Sequence, residues 1–88
     1  MSTRIEQMTA YLQILQPVSL TIIDESHKHA GHAGAVSGGG HYVLKICSAE
    51  FAGKNTMTRH RMIYSALAEM MERDIHALTI HASTPNIL

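Results

Sequence analysis

Three histidines, His27, His29 and His32, fall within six positions, and four more follow at His41, His60, His76 and His81. An imidazole titrates near neutrality and is the commonest metal-ligating side chain, so seven in 88 residues point first to metal binding or pH sensing. Sulfur is scarce by comparison. Cys47 is the single cysteine, which excludes an internal disulfide and fits a reducing cytoplasmic setting better than a secreted one. The His27-x-His29-x-x-His32 run does not have the spacing of a structural zinc site. In a glycine-rich stretch its simplest role is a solvated connector with weak affinity for zinc or nickel.

Other chemistries have thinner support. Cys47 with His41 or His81 is the one conceivable thiol and base, and a small hydrophobe in a strand is the simpler role for an isolated cysteine. No phosphate loop, dinucleotide fingerprint or metal-hydrolase motif is present, so the reading is a binding module and not an enzyme. Lys+Arg and Asp+Glu balance at seven each, which excludes a generally basic nucleic-acid binder. Lys54, Arg59 and Arg61 remain as a local basic group that phosphates favour at a helix start, or else a solvated face. The Gly-x-x-Gly pattern Gly31-His32-Ala33-Gly34 falls between two strands, whereas a strand-clamping loop belongs ahead of a helix, where Ala52-Gly53-Lys54-Asn55 has one glycine.

The elements that must position these residues follow from periodicity. Ile5, Met8, Tyr11, Leu12 and Leu15 draw one helical stripe between Ser2 and Gln16, with Ser2 or Thr3 as cap and Pro17 as terminator. Val18 to Glu25 reads as a half-buried strand with Val18, Leu20 and Ile22 inward. Ser26 to Gly40 holds five glycines and predicts a long flexible loop. His41 to Cys47 alternates, placing Tyr42, Leu44 and Ile46 on one face and Val43, Lys45 and Cys47 on the other, in a strand that pairs antiparallel with the first. Phe51 anchors a short segment, Gly53 turns the chain, and Asn55 or Thr56 caps a helix running to about Arg73. Its stripe of His60, Ile63, Tyr64, Leu67, Met70 and Met71 reads as core, with His60 hydrogen-bonded there. Ile75 to Ala82 is a third strand with Leu78 and Ile80 inward.

At 88 residues the chain fits one domain, residues 1–88, with a single modest core. No apolar run at its start is long enough for a signal peptide or membrane span. Each amphipathic helix needs an apolar partner, and the sheet offers one clearly apolar side, so helices pack on one face and Thr21, Lys45 and Cys47 lie on the wetter one.

These segments carry a family resemblance. Asp24-Glu25-Ser26-His27-Lys28-His29, Phe51-Ala52-Gly53-Lys54, Arg59-His60-Arg61-Met62-Ile63-Tyr64, Ala66-Leu67-Ala68-Glu69 and His76-Ala77-Leu78 with Thr84-Pro85 resemble BolA-family blocks, in the same order and over nearly the whole chain. The resemblance implies an α+β, class II KH-like fold with a three-stranded mixed sheet in α-β-β-α-α-β order. It also implies partnership with a monothiol glutaredoxin and its glutathione around a shared [2Fe-2S] cluster, this chain being monomeric when alone. On the residues alone, His76 is a rim histidine that hydrogen-bonds a neighbouring carbonyl. The resemblance makes it a cluster ligand, with the second drawn from the loop: His29 first, then His27, His32 or His41. Its implied alternative is a DNA-binding regulator of transcription, stress response and morphology using Lys54, Arg59 and Arg61.

Overall fold

The computed structural model describes residues 3–26 and 39–85. Helix α1, Arg4–Leu12, starts from a capping box in which Thr3 Oγ1 accepts from the Glu6 N–H at 3.1 Å and Glu6 Oε1 accepts from the Thr3 N–H at 2.8 Å. Of the two caps open to the sequence, Thr3 fills the role. The helix tightens into a 3-10 turn at Gln13–Leu15 and stops at Gln16, whose φ of 50° is left-handed, just before Pro17. Met8, Leu12 and Leu15 are buried, while Tyr11 turns outward and donates to Glu69 Oε2 at 2.5 Å.

Strands β1 (Ser19–Asp24), β2 (Gly40–Cys47) and β3 (Ile75–Ser83) form one sheet in the order β1-β2-β3. β1 pairs antiparallel with β2, from Ser19 opposite Cys47 to Asp24 opposite Tyr42, whereas β3 runs parallel to β2. A parallel pair needs a crossover. A 3-10 turn at Ala49–Phe51, the left-handed Gly53 and helices α2 (Thr56–Ala66) and α3 (Ala68–Met71) supply it, with Asn55 Oδ1 accepting from the Thr58 N–H at the start of α2. The mixed sheet and the element order match the sequence reading. The predicted loop ends one residue early, since Gly40 already pairs with Ile75. Residues 27–38 of that loop lie outside the described residues.

Tyr42, Leu44 and Ile46 of β2 meet Met8, Leu12, Phe51, Ile63, Leu67, Met70 and Ile75 in the core, and Leu20, Ile22, Leu78 and Ile80 pack around it. Four expectations differ. The helix read as continuous to Arg73 breaks at Leu67, where the Met70 N–H reaches back only three residues to Leu67 O at 2.9 Å. Tyr64 is 41% exposed and His60 half-buried, because three strands present a narrow apolar face that covers only the centre of the helical stripe. Val18 is 66% exposed, since it precedes β1 and lies outside the helical cover.

Ser48 is the one polar residue among the described residues that is fully buried. Its hydroxyl donates to Leu15 O at 2.5 Å and accepts from the Glu50 N–H at 3.0 Å, joining the end of α1 to the end of β2. Ser48→Ala leaves both backbone groups without that partner and is expected to cost about 1–3 kcal/mol in urea unfolding. The Thr3 hydrogen bonds hold the Glu6 carboxyl below its ordinary value of 4.5. Its contribution is therefore present above that value and is lost as pH falls through the lowered one. Between about pH 6 and about pH 3 the wild type should lose more stability than Glu6→Gln.

Candidate metal-ligand site

The site sits where β2 and β3 begin. Gly40 faces Ile75 but His41 faces Ala77, so β3 carries one extra residue there, and that residue is His76. The cause is a matter of parity. Ile75 is buried and Leu78 also packs against the core, three positions on, whereas an uninterrupted strand returns to one face every second residue. The bulge absorbs the mismatch and turns His76 outward, exposed alongside Ala77. This bulge was missed in reading the sequence, though the odd spacing of Ile75 and Leu78 carried the signal.

The backbone at Gly39 passes against this bulge. A Cβ on Gly39 would lie 2.8 Å from His76 Cβ and 3.1 Å from His76 N, a contact that no side-chain rotation relieves. His41 is held from the other side. Its N–H donates to Ser26 Oγ at 3.0 Å, its carbonyl accepts from the Glu25 N–H at 2.8 Å, and Ser26 is itself set by Asp24 Oδ1. The half-buried His41 ring thus lies with its centroid 5.1 Å from that of His76, the planes inclined at 42°. Two imidazoles on one tetrahedral metal with metal–nitrogen bonds of about 2.0–2.1 Å hold their centroids about 5 Å apart. The centroid separation is thus compatible with two positions of one coordination sphere.

The other histidines are distributed differently. His27, His29 and His32 lie outside the described residues. His81 faces Lys45 on the open side of the sheet, and Cys47 faces Ser83 there. Cys47 is six residues along β2 from His41, about 20 Å, so it belongs to neither the pair nor a thiol and base with His41. Among the described residues no three His, Cys, Asp or Glu side chains converge on a common metal position. A complete coordination sphere at His41 and His76 therefore needs ligands from beyond those residues.

The basic trio is not gathered on one face. Arg59 Nε donates to Lys54 O at 2.9 Å and its Nη1 to Ala82 O at 3.3 Å, with the guanidinium 6.0 Å from the Phe51 ring centroid. It fastens the start of α2 to the end of β3. Arg61, two residues on, points about 200° away around the helix and is exposed, as is Lys54. Ala82 is six residues along β3 from His76, so Arg59 lies about 20 Å from the histidine pair.

A family model described as BolA-like protein matches residues 12–86. The chain belongs to the BolA family. It is 43% identical over 75 residues, 82% of its length, to Protein BOLA1, chloroplastic, of Arabidopsis thaliana, and covers 47% of that relative. Over 69 residues, 78% of its length, it is 44% identical to the DNA-binding transcriptional regulator BolA of Escherichia coli (strain K12), covering 63% of it. The chain thus spans about half to just under two thirds of these curated relatives. The solved structure of BolA1 from Arabidopsis thaliana superposes with a TM-score of 0.82 at 40% identity, covering 97% of this chain and 95% of that one. No helix among the described residues of this BolA-family chain is long and apolar enough to cross a membrane.

Within the BolA-family fold the histidine geometry rests on a glycine. Gly39→Ala is expected to push β2 from the His76 bulge and cost about 1–3 kcal/mol through overpacking. It should abolish the nuclear Overhauser effect between the His41 and His76 rings while amide protection at Leu44 and Ile80 persists. Retention of the ring-to-ring effect would show that Gly39 does not set the pair.

Proposed function

We propose that this chain is an adaptor that presents His76 and a second histidine to a [2Fe-2S] cluster, while the thiolates come from a monothiol glutaredoxin and its glutathione. The separation of 5.1 Å between the His41 and His76 rings carries the reading. His41 is the second ligand that geometry favours among the described residues, and His29 the one favoured by the resemblance. Two imidazoles on one iron are an established ligand set for such a cluster, which supplies one-electron redox chemistry and a means of iron-sulfur transfer when bound. The single cysteine supports a shared site, because Cys47 lies near the far end of β2. The chain's own part is to fix two neutral nitrogen donors at the sheet's end and leave the remaining positions to the partner.

Mixing the chain with cluster-loaded monothiol glutaredoxin should change the visible absorption and circular dichroism of the cluster. His76→Ala should abolish that change. Comparing His41→Ala with His29→Ala identifies the second ligand as the one whose loss weakens the change. A spectrum of the mixture indifferent to His76→Ala would overturn the assignment.

DNA binding is a second reading, supported by the name of the Escherichia coli relative. Arg61 and Lys54 are the exposed cations for it, whereas Arg59 already donates to two backbone carbonyls. On so few phosphate contacts, affinity for duplex DNA should be weak, with a shallow log–log salt slope of about −2. Tight binding at physiological salt that is lost on Arg61→Ala would favour this reading over the cluster.

A further inference from the structure

The outer face of α2 exposes two large apolar side chains, Met57 and Tyr64, among Thr56, Arg61 and Ser65. Met57 is 68% exposed and Tyr64 41%, and Ile14, from the turn after α1, is 74% exposed on the other side of Arg61. They line two neighbouring grooves. One, of about 420 Å³, runs between the α1 end and α2 and includes Ile14 and Met62. The other, of about 600 Å³, lies on the opposite flank of α2 and includes Met57 and Tyr64. Arg61 lines both and is the crest between them. No carboxylate lines either groove, so the Arg61 charge has no acidic neighbour within them. Neither groove shares a residue with the depression at the histidine end that Gly39, Met71 and His76 line.

From this arrangement we infer that the α2 face docks an amphipathic helix of another protein, one that carries a carboxylate between two aliphatic side chains. An exposed arginine flanked by apolar grooves has the composition of an interface centre, where aromatic, Met and Arg side chains are enriched. Side chains three or four positions apart on a partner helix are about 5–6 Å apart, which lets aliphatic neighbours of the acid enter the grooves on either side of Arg61. Nucleic acid fits less well, because a phosphate backbone rewards several clustered cations and gains nothing from exposed Met and Ile. This surface is independent of the cluster reading and would let the chain hold a second partner while the histidine end is engaged.

The test uses the full chain and a fluorescein-labelled, helix-stapled synthetic peptide with Leu at positions i and i+7 and Glu at i+4. Saturable binding is expected, with amide shift changes centred on Met57, Arg61 and Tyr64. Arg61→Glu should weaken it at least about tenfold, and replacing the peptide's Glu by Lys should restore binding to that variant. Met57→Ala should weaken it several-fold without loss of helical circular dichroism. The inference is overturned if the peptide does not saturate, if the charge swap fails to restore binding, or if shift changes fall elsewhere. It is equally overturned if a DNA duplex displaces the peptide while Leu→Ala peptides bind as well as the parent, which would mark a phosphate site.

Discussion

Ile75 and Leu78 must both reach the core from a single strand, although they are three positions apart, and the extra residue this forces into β3 is His76. Much else at this end of the molecule follows from that constraint. With the bulge in place, Leu78 and Ile80 pack inward and the parallel ladder with β2 continues in register to Cys47 and Ser83. Gly39 must lack a side chain because the bulged backbone comes so near. His41, the first residue after the shift, comes to rest with its ring beside that of His76. A packing requirement in the core is thus converted into the placement of two imidazoles at the sheet's end.

The parallel pairing also separates the chain's polar features. The crossover returns α2 to the end of β3 remote from His76, and Arg59 fastens it there through the Ala82 carbonyl. The histidine pair and the basic residues therefore occupy opposite ends of one strand. Cys47 lies on the open sheet face toward the latter end, where its neighbours are hydroxyls, Lys45 and His81. Thiolate ligands for any cluster at His76 would have to come from another molecule, which is the physical content of the adaptor role proposed for this chain.

Much of this architecture was legible in the residues. Strict alternation at Tyr42, Leu44 and Ile46 marked the central strand, and Thr3, Pro17, Gly53 and Asn55 marked the ends of helices and turns, because those signals are local. Burial at the margins was not legible. Tyr64 and His60 fit an apolar stripe by period, yet a sheet of three strands is too narrow to cover them, and Val18 lies beyond the reach of the helices; both limits are properties of the whole fold. The bulge was legible only in part, as an odd spacing whose meaning depends on both residues being buried. His76 stood out through the family resemblance. Its proximity to His41 did not, since it joins positions 35 residues apart through a register shift. The loop histidines His27, His29 and His32, prominent in the sequence, lie outside the described residues.

The most direct test of the account is nitrogen hyperfine spectroscopy on the reduced cluster of a mixed complex. This chain would be labelled with ¹⁵N-histidine and the glutaredoxin left unlabelled. Two strong ¹⁵N couplings are predicted, one of which disappears in His76→Ala. A cluster whose couplings include none from this chain would contradict the central claim, because its ligands would then all belong to the partner.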